Sequence, residues 1–131
     1  MRTKSKDISP HSKKLLEILQ QSETPLTAYE LLEKLRAFGI KAPQTVYRAL
    51  DSLVERGLVH RIQSLSAFVA CHNDEEDHGN QFAVCRNCGV VMELHDHRIC
   101  DIIKDVSKNL SFTIEREILE IIGLCQKCSN P

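Results

Sequence analysis

The sequence predicts an α+β chain in two parts: an N-terminal winged helix-turn-helix domain, then a small C-terminal α/β domain with a structural zinc. Three observations carry this prediction. Helical periodicity runs up to Gly57 and then gives way to two short apolar strands. Charge is divided between the halves, with a net of +4 over residues 1–72 and −5 over 73–131. Two Cys-x-x-Cys pairs, CRNC at Cys85/Cys88 and CQKC at Cys125/Cys128, bracket the C-terminal part.

The first part opens with SKKLLEILQQ, in which Leu15, Leu16, Ile18 and Leu19 form one apolar stripe. Ser22 to Pro25 breaks the pattern, and Leu26, Leu31, Leu32 and Leu35 contribute to a second stripe. Thr27 with Glu30 three places on is a capping box, which satisfies two backbone N–H groups at a helix start. Gly39 is a stop signal for that helix. A third helix begins with Pro43 in its first turn and ends at Gly57. Val46, Leu50, Leu53 and Val54 make its core face. Its other face carries Gln44, Arg48, Asp51 and Glu55, with Thr45 and Tyr47 near the N-terminal end. That chemistry suits DNA: an arginine fork matches a guanine edge, and Thr and Tyr hydroxyls reach phosphates. The competing reading is a helical domain that binds protein; the basic charge of this half favours DNA.

After Gly57, LVHRIQS and AFVAC read as the strands of a hairpin turning near Ser64 to Ser66, the wing of the predicted domain. The acid-rich NDEEDHGN reads as a linker, so the expected boundaries are 1–72, a hinge at 73–80, and 81–131. Beyond it, QFAVC and VVMEL read as strands around a turn, HDHRICDIIKDVSKNL as a helix, and FTIEREILEIIGL as one long strand.

The composition, 42% hydrophobic and 27% charged over 131 residues, is that of an ordinary globular chain. No apolar run approaches the roughly 20 residues that span a bilayer, so no membrane partner is expected. The basic N-terminus MRTKSKDISPHSKK lacks the apolar stretch of a secretory signal, which points to the reducing cytoplasm. There the four paired cysteines are better read as a closed tetrahedral zinc site than as disulfides. The 36 residues between the pairs exceed the usual ribbon spacing, so a subdomain must fit between them. A thioredoxin-like role is disfavoured because no βαβ pattern carries either pair.

Cys71 and Cys100 stand apart. If the hairpin turns at 64–66, His60 lies nearly opposite residues 69–71, so His60 and Cys71 approach as cross-strand neighbours. His78 on the linker and Glu93, five residues after Cys88, complete a candidate His-Cys-His-Glu set whose thiolate favours zinc over iron or manganese. Each residue has a plainer reading, a surface histidine or a small buried thiol. His95, His97, His72 and Cys100 form a rival cluster.

Together, APQTVYRALDSLVERGLVHRI, FVACH, CRNCG and GLCQKC resemble the ferric uptake regulator (Fur) superfamily of metal-sensing repressors, from about Leu15 to Cys128. Cys71 after the wing is most similar to the zinc uptake regulator (Zur) branch. The resemblance implies a homodimer whose C-terminal domain mediates dimerisation and whose regulatory metal sets the angle between domains. It implies two zinc ions per subunit: a structural one on Cys85, Cys88, Cys125 and Cys128, and a regulatory one on His60, Cys71, His78 and Glu93. Tyr29 and Arg48 match positions that meet DNA. Arg116 stands where iron and peroxide sensors tend to carry a further histidine, so no third site of that kind is expected.

The function expected from all this is a zinc-responsive repressor of zinc uptake genes that binds double-stranded, palindromic operator DNA. An iron- or peroxide-responsive regulator is the alternative. No small-molecule substrate and no enzymatic activity are expected: four-thiolate zinc has no open position, and the second set is fully ligated by protein.

Overall fold

Helix α1, Pro10–Gln21, begins where the Ser9 hydroxyl accepts the backbone N–H of Ser12 at 3.1 Å and Pro10 supplies a fixed φ. This is the first element of a computed structural model that describes residues 8–71, 80–94 and 96–130. The chain divides into two units, Met1–Asn73 and Asp74–Pro131.

In the N-terminal unit, α1 is followed by strand β1 (Leu26–Thr27), helix α2 (Ala28–Leu35), a 3-10 turn at Arg36–Phe38 and helix α3 (Pro43–Glu55). Strands β2 (Val59–Ile62) and β3 (Ala67–Ala70) then form the wing. The capping box forms as expected: Thr27 Oγ1 accepts from the Glu30 N–H at 3.1 Å, and Glu30 Oε1 accepts from the Thr27 N–H at 2.9 Å. Thr27→Ala should therefore cost α2 about 1 kcal/mol. Amide exchange over Ala28–Leu35 should rise roughly fivefold for that loss; unchanged exchange there would show that tertiary packing alone holds the helix start.

Gly39 ends the 3-10 turn at φ 85°, a left-handed conformation that a Cβ disfavours. Leu15, Leu31, Leu35, Val46, Leu50 and Leu53, none more than 1% exposed, lock the three helices together. Each such side chain contributes about 1.5–3 kcal/mol of transfer free energy.

Leu26 departs from the sequence reading. Rather than extending the α2 stripe it lies in β1, opposite Phe68, and buries its side chain from a strand. Its apolar character was read correctly but assigned to the wrong period, because a two-residue strand is too short to alternate. The small sheet runs β1-β3-β2, and the wing turns through a 3-10 segment at Gln63–Leu65 with Ser66 at φ 50°.

The C-terminal unit contains β4 (Asn80–Cys85), β5 (Val91–Glu93), helix α4 (His97–Asn109), β6 (Ile118–Gly123) and a short helix α5 (Gln126–Ser129). Its sheet runs β5-β4-β6, with β5 antiparallel and β6 parallel to β4. A parallel neighbour requires a crossover, and α4 provides it. Asp96 caps α4 by accepting the Arg98 N–H at 2.9 Å, and Arg98 in turn holds the Asp96 carboxyl down at about 2. The long strand expected over Phe112–Leu124 is shorter than read. Ser111 at φ 54° turns the chain after α4, and only Ile118–Gly123 pairs with β4. Over Thr113–Glu117 the alternation is too imperfect to bury one face, and pairing starts where Ile118 meets Asn80.

Candidate metal centre

The parallel pairing of β4 and β6 assembles the cysteines. It sets Cys85 opposite Gly123, so both strands finish at the same end of the sheet and each runs directly into its Cys-x-x-Cys turn. The Arg86 N–H donates to the Gly123 carbonyl at 2.8 Å, pinning one turn to the approach of the other. Gly89, at φ 80°, closes the first turn by donating its N–H to the Cys85 carbonyl at 2.9 Å. Cys128 and Ser129 donate theirs to the Cys125 carbonyl at 3.1 and 2.8 Å, which closes the second.

As a result the sulfurs of Cys85, Cys88, Cys125 and Cys128 all lie within 4.8 Å of one another, with Cys88 and Cys125 Sγ 3.7 Å apart. A zinc–sulfur bond of ~2.3 Å in tetrahedral geometry requires sulfurs ~3.8 Å apart. The donor set and its spacing fit a structural zinc.

Electrostatics agree with that reading. Backbone N–H groups of Cys88 and Cys125 draw the Cys85 thiol down to about 5, against the opposing effect of burial. Cys125 is also lowered, chiefly by the Cys128 N–H. At Cys88 the Val90 N–H pulls downward, yet the neighbouring thiols and burial prevail and push it up to about 11. Four like charges so close cannot all form unaided, and a dication is what lets them coexist.

In the N-terminal unit the hairpin register places His60 opposite Val69. Two residues beyond Val69 on the same face is Cys71, whose N–H donates to the Leu58 carbonyl at 2.9 Å. The ligand atoms of His60 and Cys71 lie within 4.8 Å of one another, and both side chains are half-buried. Glu93 ends β5 in the C-terminal unit, where its Oε2 is buried with no hydrogen-bond partner among the described residues. The expected ligand His78, like His72 and His95 of the rival cluster, lies outside the described residues. Cys100 of that cluster is buried on α4, where its sulfur accepts from Gln81 Nε2 at 3.2 Å; His97 is exposed at the start of the same helix.

The face of α3 opposite the core presents Gln44, Tyr47 and Arg48 to solvent, with Thr45 half-buried beside them. Tyr29 at the start of α2 is 69% exposed. Between the start of α1 and α3 lies an open groove of about 500 Å³, lined by His11, Thr45 and Arg48 among others. Bulky aromatic and cationic side chains held outward on a firmly packed helix are what a nucleic-acid face requires.

Sequence reasoning passed over Asn87, whose Nδ2 donates to Cys128 Sγ at 3.2 Å.

Comparison with known proteins agrees with this geometry. The chain matches the Ferric uptake regulator family over residues 4–122. It is 33% identical over 123 residues to the zinc uptake regulation protein of Escherichia coli (strain K12), covering 92% of this chain and 72% of that protein. Among solved structures it is similar to a zinc uptake regulator complexed with zinc and DNA. The TM-score is 0.87 at 33% identity, over 92% of this chain and 82% of that one. The holo form of XcZur superposes with a TM-score of 0.86 at 37% identity, over 94% and 86% of the two chains.

Proposed function

Because this chain belongs to the ferric uptake regulator family, we propose that it is a zinc-responsive transcriptional repressor that controls zinc uptake genes. Membership places it among transcription regulators and not among enzymes. The observation that carries the choice of zinc is the His60–Cys71 pair, an imidazole and a thiol within 4.8 Å in the unit that bears α3. A thiolate in the donor set favours zinc over the harder iron and manganese ions.

On this reading residues 1–72 are the DNA-binding domain, 73–80 the hinge and 81–131 the dimerisation and zinc-binding domain. Each subunit holds two zinc ions. The structural ion sits on Cys85, Cys88, Cys125 and Cys128, and the regulatory ion on His60, Cys71, His78 and Glu93. The orphaned carboxylate oxygen of Glu93 supports its place in the second set, since a buried anion without a donor calls for a cation. Tyr29, Gln44, Thr45, Tyr47 and Arg48 meet the operator, Arg48 at a base edge and the hydroxyls at phosphates.

The working form is a cytoplasmic homodimer on palindromic double-stranded DNA. Strand β6 supports this: it is an edge of its sheet, yet Ile118, Ile121 and Ile122 on it are 42–57% exposed. A bare apolar edge strand is a liability unless a second copy covers it. No helix among the described residues is long and apolar enough to cross a membrane. Regulatory zinc would favour the dimer geometry in which both α3 helices match successive major-groove faces, and its loss would release the hinge.

Operator binding measured while free zinc is buffered over a wide range tests partner, metal and switching together. Affinity should rise steeply with free zinc and stay flat with iron. A response to iron alone would replace this reading with the iron-responsive one.

A further inference from the structure

The hydrogen bonds around the four cysteines come from backbone and side chain alike. Cys85 Sγ receives the Cys88 N–H at 3.4 Å and further backbone donors from Cys125 and Asn87. Cys88 receives the Val90 N–H, and Cys125 the Cys128 N–H. Those donors are backbone groups, from the cysteine's own turn or, for the Cys125 N–H, from the other loop. Cys128 Sγ receives a side-chain donor, Asn87 Nδ2 at 3.2 Å, reaching across from the opposite loop.

We infer that Asn87 is a positioning residue of the four-cysteine centre, its amide fixing Cys128 and dispersing part of the charge on that thiolate. The inference rests on the reading that these four thiols hold zinc. Four thiolates around one zinc ion leave a net charge of −2, and each N–H···S bond spreads part of it away from the metal. Without its donor, the Cys128 sulfur is held less firmly and is more open to a competing chelator. Geometry adds a second contribution. The bond links positions 41 residues apart, so it ties CRNC to CQKC even before the ion does. Asn87 is exposed, so packing gives no competing account of its placement. Outer partners of this kind typically alter metal affinity by about 10–100-fold.

The test uses the full chain loaded with zinc and follows transfer of the slowly released ion to excess chelator. Asn87→Ala should speed that phase about tenfold. Asn87→Asp should speed it further, because a carboxylate then faces a centre that is already anionic. A second readout keeps the inference open to failure if a variant folds poorly. In the unmodified protein loaded with cadmium-113, the metal resonance should show scalar coupling to the Asn87 side-chain amide protons. Bound metal without that coupling, or release from both variants at the unmodified rate, overturns the role of Asn87 alone. An unmodified protein whose four thiols take up no metal overturns the four-cysteine reading together with it.

Discussion

Cys125→Ser is expected to abolish zinc binding at the four-cysteine cluster proposed to hold a structural ion and, with it, the cooperative folding of the C-terminal unit. The sheet there has three strands, and few of its large apolar side chains are fully buried: Phe82 and Val84 are, whereas Ile102, Val106, Leu110 and Phe112 are more than half exposed. So small a core stabilises little by itself. Structural zinc contributes about 10–16 kcal/mol in small zinc-binding peptides, comparable to the entire stability of an ordinary domain. A serine in place of one of four thiolates should therefore leave a protein with one fewer zinc per subunit, a broadened melting curve and a monomeric sedimentation profile. A normal melt with full dimerisation would mean that the four cysteines do not hold the unit together.

Cys71→Ser is expected to do the reverse: operator binding in the presence of zinc should fall by about 100-fold or more, while melting and dimerisation stay as in the unmodified protein. Moving a two-state equilibrium from 1:99 to 99:1 requires roughly 10⁴-fold preferential binding to one state. On the proposed reading, losing the thiolate removes the ligand that selects zinc, and a neutral hydroxyl cannot replace it. The core of the N-terminal unit draws on Leu15, Leu31, Leu50 and their neighbours and not on Cys71, so the fold has no reason to change. Zinc-dependent operator binding at the unmodified level would remove Cys71 from the regulatory site. The contrast between the two variants tests the proposal of one ion that builds the protein and another that instructs it.

Much of the fold was legible because its signals are local. The Thr27/Glu30 box, Pro43 at the start of α3 and Gly39 after the 3-10 turn are features of neighbouring residues, and each formed as read. His60 and Cys71 were also legible, since a short hairpin leaves few registers and the pairing of His60 with Val69 follows from the turn at 63–66. Leu26 was misread because an apolar residue fits a helix stripe or a two-residue strand equally well. The stretch after Phe112 was misread because β propensity does not say which residues find a neighbouring strand; Ile118–Gly123 does so only because β4 lies beside it.

The amino-acid sequence alone specified which residues could bind a soft metal, which face of α3 is free of the core, and where α2 and α3 begin. Such properties reside in side-chain type and in spacings of one to four residues, which the chain cannot alter by folding. Only the tertiary structure decided how the distant pieces meet. The parallel alignment of Cys85 with Gly123 brings CRNC and CQKC to one end of the sheet, and a side chain as plain as Asn87 becomes a donor to Cys128. The physical reason is that strand pairing is a non-local choice, made by backbone hydrogen bonds and burial over the whole unit, and so leaves no mark at the residues whose roles it sets.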